Sequence, residues 1–110
     1  MPGTINLEKS EYVQSAIDYC VKNRKFIGAI CAAPSILGHK GLLNGKTAVC
    51  YEGFEPQLEG AVIGNTSVAD DDIYVTARGA GVAVDFGLKL VEKVVSKAES
   101  DKLRAAILCD

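Results

Sequence analysis

The chain has 110 residues, which is enough for one domain with a modest hydrophobic core. Its 48% hydrophobic and 24% charged residues are typical of a globular protein, and its net charge of −2 lacks the basic excess of a nucleic-acid binder. It contains no apolar run of membrane-spanning length and no signal-peptide pattern, so we expect neither nucleic-acid nor membrane partners and a cytoplasmic location.

The first predicted helix follows a short N-terminal loop. Residues 1–4 contain Pro and Gly, which are typical of a turn. The helix should run roughly from Ser10 to Lys22, because apolar residues recur there at helical spacing and Ser10 is a suitable N-cap. The apolar face comprises Tyr12, Val13, Ala16, Ile17, Cys20 and Val21, which assigns Cys20 to the core.

The most informative stretch surrounds Cys31. The apolar run from Phe26 to Ile30 predicts a buried parallel strand, and Pro34 predicts the start of a helix. A cysteine on such a sharp strand-to-helix turn stands exposed, and the N–H groups of the following turn favour its thiolate. We therefore interpret Cys31 as a reactive thiolate on a strained nucleophile elbow. The alternative is a buried structural thiol, since cysteine is among the residues most often buried.

The single histidine and the other cysteines do not extend this site. A helix starting at Cys31 would place His39 about 12 Å away, so we predict a surface histidine and not a Cys/His dyad. The four cysteines, which include Cys50 and Cys109, contain no CxxC pair, so no zinc site is predicted.

The middle of the chain predicts short extended segments. A turn over residues 42–46 precedes a strand from Thr47 to Tyr51, then a loop or short helical turn from Glu52 to Leu58 and extended residues 61–63. Residues 67–76 predict a hairpin whose turn contains Asp70–Asp72. These aspartates lack the spacing of a calcium loop, so we predict a solvated turn.

Two helices are predicted at the C-terminal end. A glycine-rich turn at 77–81 opens a helix to about Val95, and we attribute its glycines to close packing, with anion binding at the helix start as the alternative. This helix should be buried on more than one side, through Val82, Ala83, Val84, Phe86, Gly87, Leu88, Leu90, Val91 and Val94. A final helix from Ala98 to Cys109 should bury Leu103, Ala106 and Ile107 and leave Cys109 peripheral.

Strands alternating with helices predict an α/β fold with a parallel sheet, but the strands are few. The strand ending at Cys31 is apolar on both faces, as strands in a sheet interior are, and it therefore needs neighbours on both edges. We expect a partner segment, or failing that a second copy of the chain, to cover the open edge.

Three separated motifs resemble the ThiJ/PfpI superfamily, in the branch of the Parkinson-linked protein deglycase and its bacterial chaperone relatives. They are the strand with Ala-Ile-Cys-Ala-Ala-Pro at 29–34, the turn at 41–46 with its following strand, and the segment 76–86. The resemblance covers all 110 residues and implies a flavodoxin-like, class I glutamine-amidotransferase-like sandwich with helices on both faces. Residues 1–110 would be the C-terminal part of that domain, incomplete without an N-terminal half. Ala77 and Ala80 stand where the family has Ser and Pro.

The resemblance implies a glyoxalase/deglycase-type enzyme that acts on small α-oxoaldehydes or their protein adducts, without metal or organic cofactor. Cys31 would be the nucleophile, the Ala32 N–H an oxyanion donor, and Tyr51, Arg78 and Gly79 supporting residues. The family's N-terminal segment, retained as a partner, would supply a glutamate that moves protons and a glycine N–H for the oxyanion hole. This chain alone is therefore predicted to be inactive, and homodimers are common in the family.

Two other functions remain open from the sequence. The protein would be a redox-sensing stress protein or chaperone if oxidation of Cys31 were its purpose. A protease or amidase is disfavoured, because the protease branch has histidine where this chain has Ala32. Tyr51 also occupies a position where family members often have histidine.

Overall fold

The computed structural model describes residues 2–107, which form five α-helices and five short strands. The helices are α1 Pro2–Lys9, α2 Glu11–Lys22, α3 Pro34–His39, α4 Ala83–Val94 and α5 Lys97–Ala106. The strands are β1 Ile27–Ile30, β2 Thr47–Ala48, β3 Val62–Ile63, β4 Val68–Asp71 and β5 Tyr74–Ala77, and 3-10 turns lie at Glu55–Gln57 and Ala80–Val82.

The strands form a mixed three-stranded sheet and a separate parallel pair. The larger sheet has the order β1-β5-β4, in which β1 is parallel to β5 and β4 is antiparallel to it. β2 and β3 form the parallel pair. The α/β fold predicted from the alternation of strands and helices is confirmed, and the predicted hairpin is the β4–β5 pair.

Helices cover both faces of β1. Neighbouring residues of a strand point to opposite faces of the sheet. The surroundings of Gly28 and Ala29 therefore show what packs against each face of β1. A Cβ added to Gly28 would lie 2.9 Å from the Phe86 ring of α4. Ala29 belongs to the buried cluster that includes Ile17 of α2 and Ile36 of α3. The two-sided arrangement predicted for this fold is therefore present around β1.

β1 lies at the edge of its sheet. The N–H groups of Ile27 and Cys31 donate to the carbonyls of Ile73 and Ala77, at 2.8 and 3.0 Å, along the β5 side. Because alternate residues of a strand present their backbone groups to opposite edges, those of Gly28 face away from β5. Among the described strands none pairs with this second edge, as the small number of predicted strands implied.

The N-terminal region differs from the prediction in two respects. Residues 2–4, predicted as part of a turn, begin helix α1, which is compatible with the sequence because proline is well tolerated in a first helical turn. Ser10 caps α2 as predicted, its Oγ accepting the Val13 N–H at 3.4 Å. The predicted apolar face is too wide, however, since Tyr12 is 90% exposed and Cys20 is only partly buried.

The C-terminal helices are less covered than predicted. In α4 only Leu88 is fully buried, and Val94, assigned to the inner face, is 65% exposed. The three predicted inner residues of the last helix, Leu103, Ala106 and Ile107, are all exposed, and Ile107 caps α5. The buried residue of α5 is Ser100, whose hydroxyl donates to the Leu88 carbonyl at 2.7 Å. The predicted helix end at Cys109 lies outside the described residues. The helical spacing of apolar residues shows which residues could form a buried face. It does not show which of them another element of the fold covers.

The acidic turn forms ion pairs that the sequence did not predict. β4 continues through Asp71, so only Asp72 of the three aspartates lies in the turn. Asp72 pairs with Arg24 and, at 3.2 Å, with Lys46. Asp70 pairs with Lys93 at 2.6 Å. Asp70 and Asp72 nevertheless remain exposed, so the acidic turn is solvated as predicted and in addition forms ion pairs with α4 and with the loop that precedes β1.

Candidate active site

Cys31 occupies the turn between β1 and α3. Its φ is +66°, in the left-handed region, which a residue other than glycine adopts at a cost of roughly 1 kcal/mol or more. Its N–H donates to the Ala77 carbonyl at 3.0 Å, so the end of β5 holds the turn in place. The strained backbone predicted for an elbow at Cys31 is confirmed.

Backbone hydrogen bonds fix the residues after Cys31. The Ala33 N–H donates to the Ile30 carbonyl at 3.1 Å, and the Ser35 hydroxyl donates to the Ala32 carbonyl at 2.7 Å. The N–H of Ala32 takes no part in these bonds. The helix dipole expected to favour the Cys31 thiolate comes from α3. This helix has only six residues, so fewer peptide dipoles add up to that effect.

The segment after β2 turns toward Cys31 and does not continue as a strand. The predicted strand Thr47–Tyr51 ends at Ala48. The Val49 N–H then donates to the Thr76 hydroxyl at 3.0 Å, and the Tyr51 N–H donates to the Cys31 carbonyl at 2.7 Å. These bonds replace a sheet ladder and bring residues 49–51 against the elbow.

Cys50 is the buried thiol of this segment. It is 1% exposed, and its burial, with a contribution from the nearby Glu55 carboxylate, raises the pKa of the thiol to about 11. The positive charge of Arg78 opposes that shift only in part. Cys50 is therefore a neutral thiol at physiological pH, whereas Cys31 is only partly buried.

An open cavity of about 310 Å³ lies beside the elbow. It is lined by the three predicted supporting residues, Tyr51, Arg78 and Gly79, together with Glu52, Ala80, Gly81 and Val82. Cys31 does not line it, but Tyr51 of its wall donates its N–H to the Cys31 carbonyl. The ring of Tyr51 packs edge-to-face against Phe54, with 6.3 Å between the ring centres, which orients it at the cavity wall.

Close packing does not explain the glycines before α4. A Cβ added to Gly79 would make only an ordinary contact, 3.9 Å from the Tyr51 ring, and one added to Gly81 would meet no atom of the described residues within 4 Å. The close-packing interpretation is therefore wrong for these two positions. Because Gly79 and Gly81 have no side chains, their backbone is accessible at the cavity wall.

His39 lies on the surface, as predicted. Its Nδ1 is 2.6 Å from a carboxylate oxygen of Glu8, and its Nε2 is 3.1 Å from the side-chain oxygen of Gln57. Both ring nitrogens are thus engaged by α1 and the 3-10 turn. The ring joins these two elements and does not face Cys31.

The sequence profile of the DJ-1/PfpI family matches residues 1–93. The chain belongs to the DJ-1/PfpI family. Protein dj-1beta of Drosophila melanogaster is 33% identical over 84 residues, which are 74% of this chain and 45% of that protein. The glutathione-independent glyoxalase DJ-1 of Schizosaccharomyces pombe is 34% identical over 98 residues, covering 86% of this chain and 51% of that one.

The solved structures agree with this assignment. The structure of oxidized Toxoplasma gondii DJ-1 superposes with a TM-score of 0.92 at 33% identity, covering 99% of this chain and 60% of that one. The family resemblance and the flavodoxin-like α/β fold inferred from the sequence are therefore confirmed. The chain spans about half the length of the curated relatives it matches.

The described part of this DJ-1/PfpI chain contains no cluster of three or more metal-ligating side chains. Nor do residues 2–107 contain a helix long and apolar enough to cross a membrane. The groups at or beside the elbow that can do chemistry include the Cys31 and Cys50 thiols, backbone N–H groups, the Glu55 carboxylate and the exposed Arg78.

Sequence reasoning missed Cys50 and Glu55 as members of this site. Cys50 ends an apolar run that resembles an ordinary strand, and only the bend after Ala48 brings it to the elbow. A usable signal was present, because the carboxyl ends of neighbouring strands in α/β sheets gather at one edge.

Proposed function

We propose that this protein is a cysteine-dependent enzyme of the glyoxalase/deglycase type, acting in the cytoplasm on small α-oxoaldehydes or their protein adducts. The observation that carries the proposal is the left-handed backbone of Cys31 on the turn between β1 and α3. Relatives from Schizosaccharomyces pombe and Caenorhabditis elegans are named glutathione-independent glyoxalases, which supports the reaction class.

The first chemical step would join Cys31 to the aldehyde carbon. A carbon–sulfur bond forms as the carbonyl electron pair moves to oxygen, and protonation of that oxygen gives a hemithioacetal. The N–H of Ala32 would stabilise the developing oxyanion. Arg78 at the cavity wall would attract the carboxylate of the hydroxy-acid product, since a guanidinium matches carboxylate geometry.

The test is turnover of methylglyoxal, followed as lactate. Cys31→Ser should abolish lactate formation, because a serine hydroxyl on the same turn is a far weaker nucleophile. Cys20→Ser is the matched control, since Cys20 lies on α2 and should leave the rate unchanged. Equal lactate formation by the Cys31→Ser variant would exclude the proposal.

We further propose that activity needs a partner segment seated on the open edge of β1. That edge presents backbone groups of Gly28 without a described strand partner, and the match covers only about half of the Drosophila melanogaster and Schizosaccharomyces pombe relatives. The segment would add a strand and the group that moves protons, and the chain alone would be inactive. A homodimer would form through a separate surface.

Size-exclusion chromatography and mass spectrometry of the purified material test this requirement. We expect a second polypeptide, or a second copy of the chain, to co-elute with every folded species. A folded monomer that turns over methylglyoxal alone would contradict it.

The second candidate is a redox-sensing stress protein that uses oxidation of Cys31. It is favoured by the Toxoplasma gondii relative, whose structure is described as oxidized. Peroxide should then add oxygen to Cys31 in a protein that forms no lactate. Lactate formation that depends on Cys31 would decide in favour of the enzyme.

A further inference from the structure

The bend after β2 places a second thiol next to the elbow. The Tyr51 N–H donates to the Cys31 carbonyl at 2.7 Å, and Cys50 is the preceding residue. Standard bond lengths then keep the Cα atoms of Cys31 and Cys50 within at most about 7.5 Å. Disulfide-bonded cysteines have Cα atoms roughly 4.4–6.8 Å apart, so this upper limit lies close to the range in which two cysteines can be joined.

A second observation also places the two thiols together. Cys31 is near enough to Cys50 to be the smallest of the influences on the raised pKa of Cys50, after burial, the Glu55 carboxylate and the opposing Arg78. Cys50 is held there by the bonds on both sides of it, from Val49 to Thr76 and from Tyr51 to Cys31. Cys20, by contrast, lies on α2 and shares none of these contacts.

We propose that Cys50 is a resolving cysteine for Cys31. Hydrogen peroxide converts the Cys31 thiol to a sulfenic acid and is itself reduced to water. The Cys50 sulfur, losing its proton, then attacks the Cys31 sulfur. The sulfur–sulfur bond forms as the sulfenic oxygen leaves as a second water, and the product is a Cys31–Cys50 disulfide that thiols can reduce. The proposal rests on the reactivity of Cys31 that the proposed function assumes.

Burial of Cys50 makes this resolution slow and pH-dependent. The charged or titratable groups facing its thiol are Glu55, Arg78 and Cys31, and their combined effect with burial is a pKa of about 11. The attacking thiolate is therefore scarce at neutral pH, and the rate should rise with pH by up to about tenfold per unit. A second peroxide molecule competes for the sulfenic acid and gives an irreversible sulfinic acid on Cys31.

The competition makes the outcome depend on peroxide concentration. At low peroxide concentration the Cys31 sulfenic acid persists long enough to react with Cys50, so the disulfide accumulates. At high peroxide concentration the second oxidation is faster, and the sulfinic acid accumulates. The pair would thus protect the elbow from irreversible oxidation during mild stress and lose that protection during severe stress.

The experiment treats the purified protein, in the assembly in which it occurs, with equimolar and with excess hydrogen peroxide. Remaining thiols are alkylated and the peptides are mapped by mass spectrometry. Equimolar peroxide should give a Cys31–Cys50 linked peptide whose yield at fixed time increases from pH 7 to pH 9. Cys50→Ala should give no such peptide and, with at least two equivalents of peroxide per protein, Cys31 sulfinic acid, whereas Cys20→Ser should behave as the unmodified protein does.

The outcomes separate this proposal from the proposed function. Sulfinic acid on Cys31 with no Cys31–Cys50 peptide at any pH would overturn the resolving role and leave the nucleophile intact. A disulfide from Cys31 to Cys20 or to another chain would overturn it as well. Absence of any oxidation at Cys31 would also overturn the resolving role, while lactate formation from methylglyoxal would decide the proposed function separately. The unmodified protein alone distinguishes these results, so they stand even if Cys50→Ala fails to fold.

Discussion

Replacement of Gly38 by alanine should destabilise the protein, although alanine is the better helix former. Gly38 is buried in α3, and a Cβ there would lie 2.2 Å from the Gln57 carbonyl oxygen and 2.8 Å from the Leu58 Cα. Both are backbone atoms of the 3-10 turn and its end, so relief requires moving that segment away from α3. Helix propensity favours alanine by about 1 kcal/mol, whereas overpacking of this kind costs about 1–3 kcal/mol or more.

Gly87→Ala is the matched control. Gly87 lies inside α4, and a Cβ there would meet no atom of residues 2–107 within 4 Å, so only the propensity effect is expected. Urea denaturation should therefore show Gly87→Ala more stable by up to about 1 kcal/mol and Gly38→Ala less stable by about 1–2 kcal/mol. If Gly38→Ala gained as much stability as Gly87→Ala, the packing of the 3-10 turn on α3 would be wrong.

Three further outcomes follow from the described contacts. Iodoacetamide should alkylate Cys31 before Cys20 and well before Cys50, as mapped by mass spectrometry of the folded protein; earlier labelling of Cys50 would contradict its burial and raised pKa. The pKa of Asp72 is lowered by the arginine that donates to it, so its stabilising effect is complete above the ordinary carboxyl range and is lost as the pH falls through the lowered value. Asp72→Asn should accordingly reduce the acid dependence of stability in denaturation at pH 3–7, and an unchanged dependence would count against the pairing. Ser100→Ala removes a buried hydrogen bond to α4 and should cost about 1 kcal/mol in urea denaturation, with no loss arguing against that bond.

The elbow could be predicted from the sequence because its determinants are local. An apolar run, a cysteine, two alanines and Pro34 occupy consecutive positions, and each restricts the backbone that its neighbours can adopt. The same is true of Ser10, whose side chain caps the helix that begins beside it. Such features require no knowledge of which distant segment packs against them.

The features that escaped prediction depend on distant contacts. The strand from Thr47 was expected to reach Tyr51, but hydrogen bonds to Thr76 and Cys31, far along the chain, end it at Ala48. The exposure of Val94 depends on which elements pack against α4, and the spacing of apolar residues does not predict those elements. Cys50 lies beside the elbow because the strand ends at Ala48 and the chain bends there. The sequence did not predict this position, because the bend depends on those distant hydrogen bonds.

The most direct test of the central claim is to label Cys31 progressively and measure activity at each step. The protein in its active assembly is treated with limiting iodoacetamide, the fraction of Cys31 labelled is measured by mass spectrometry, and the rate of lactate formation from methylglyoxal is measured on the same samples. The proposed role of Cys31 predicts that the rate falls in direct proportion to the labelled fraction and reaches zero when Cys31 is fully labelled. Full labelling of Cys31 with the rate retained would contradict it.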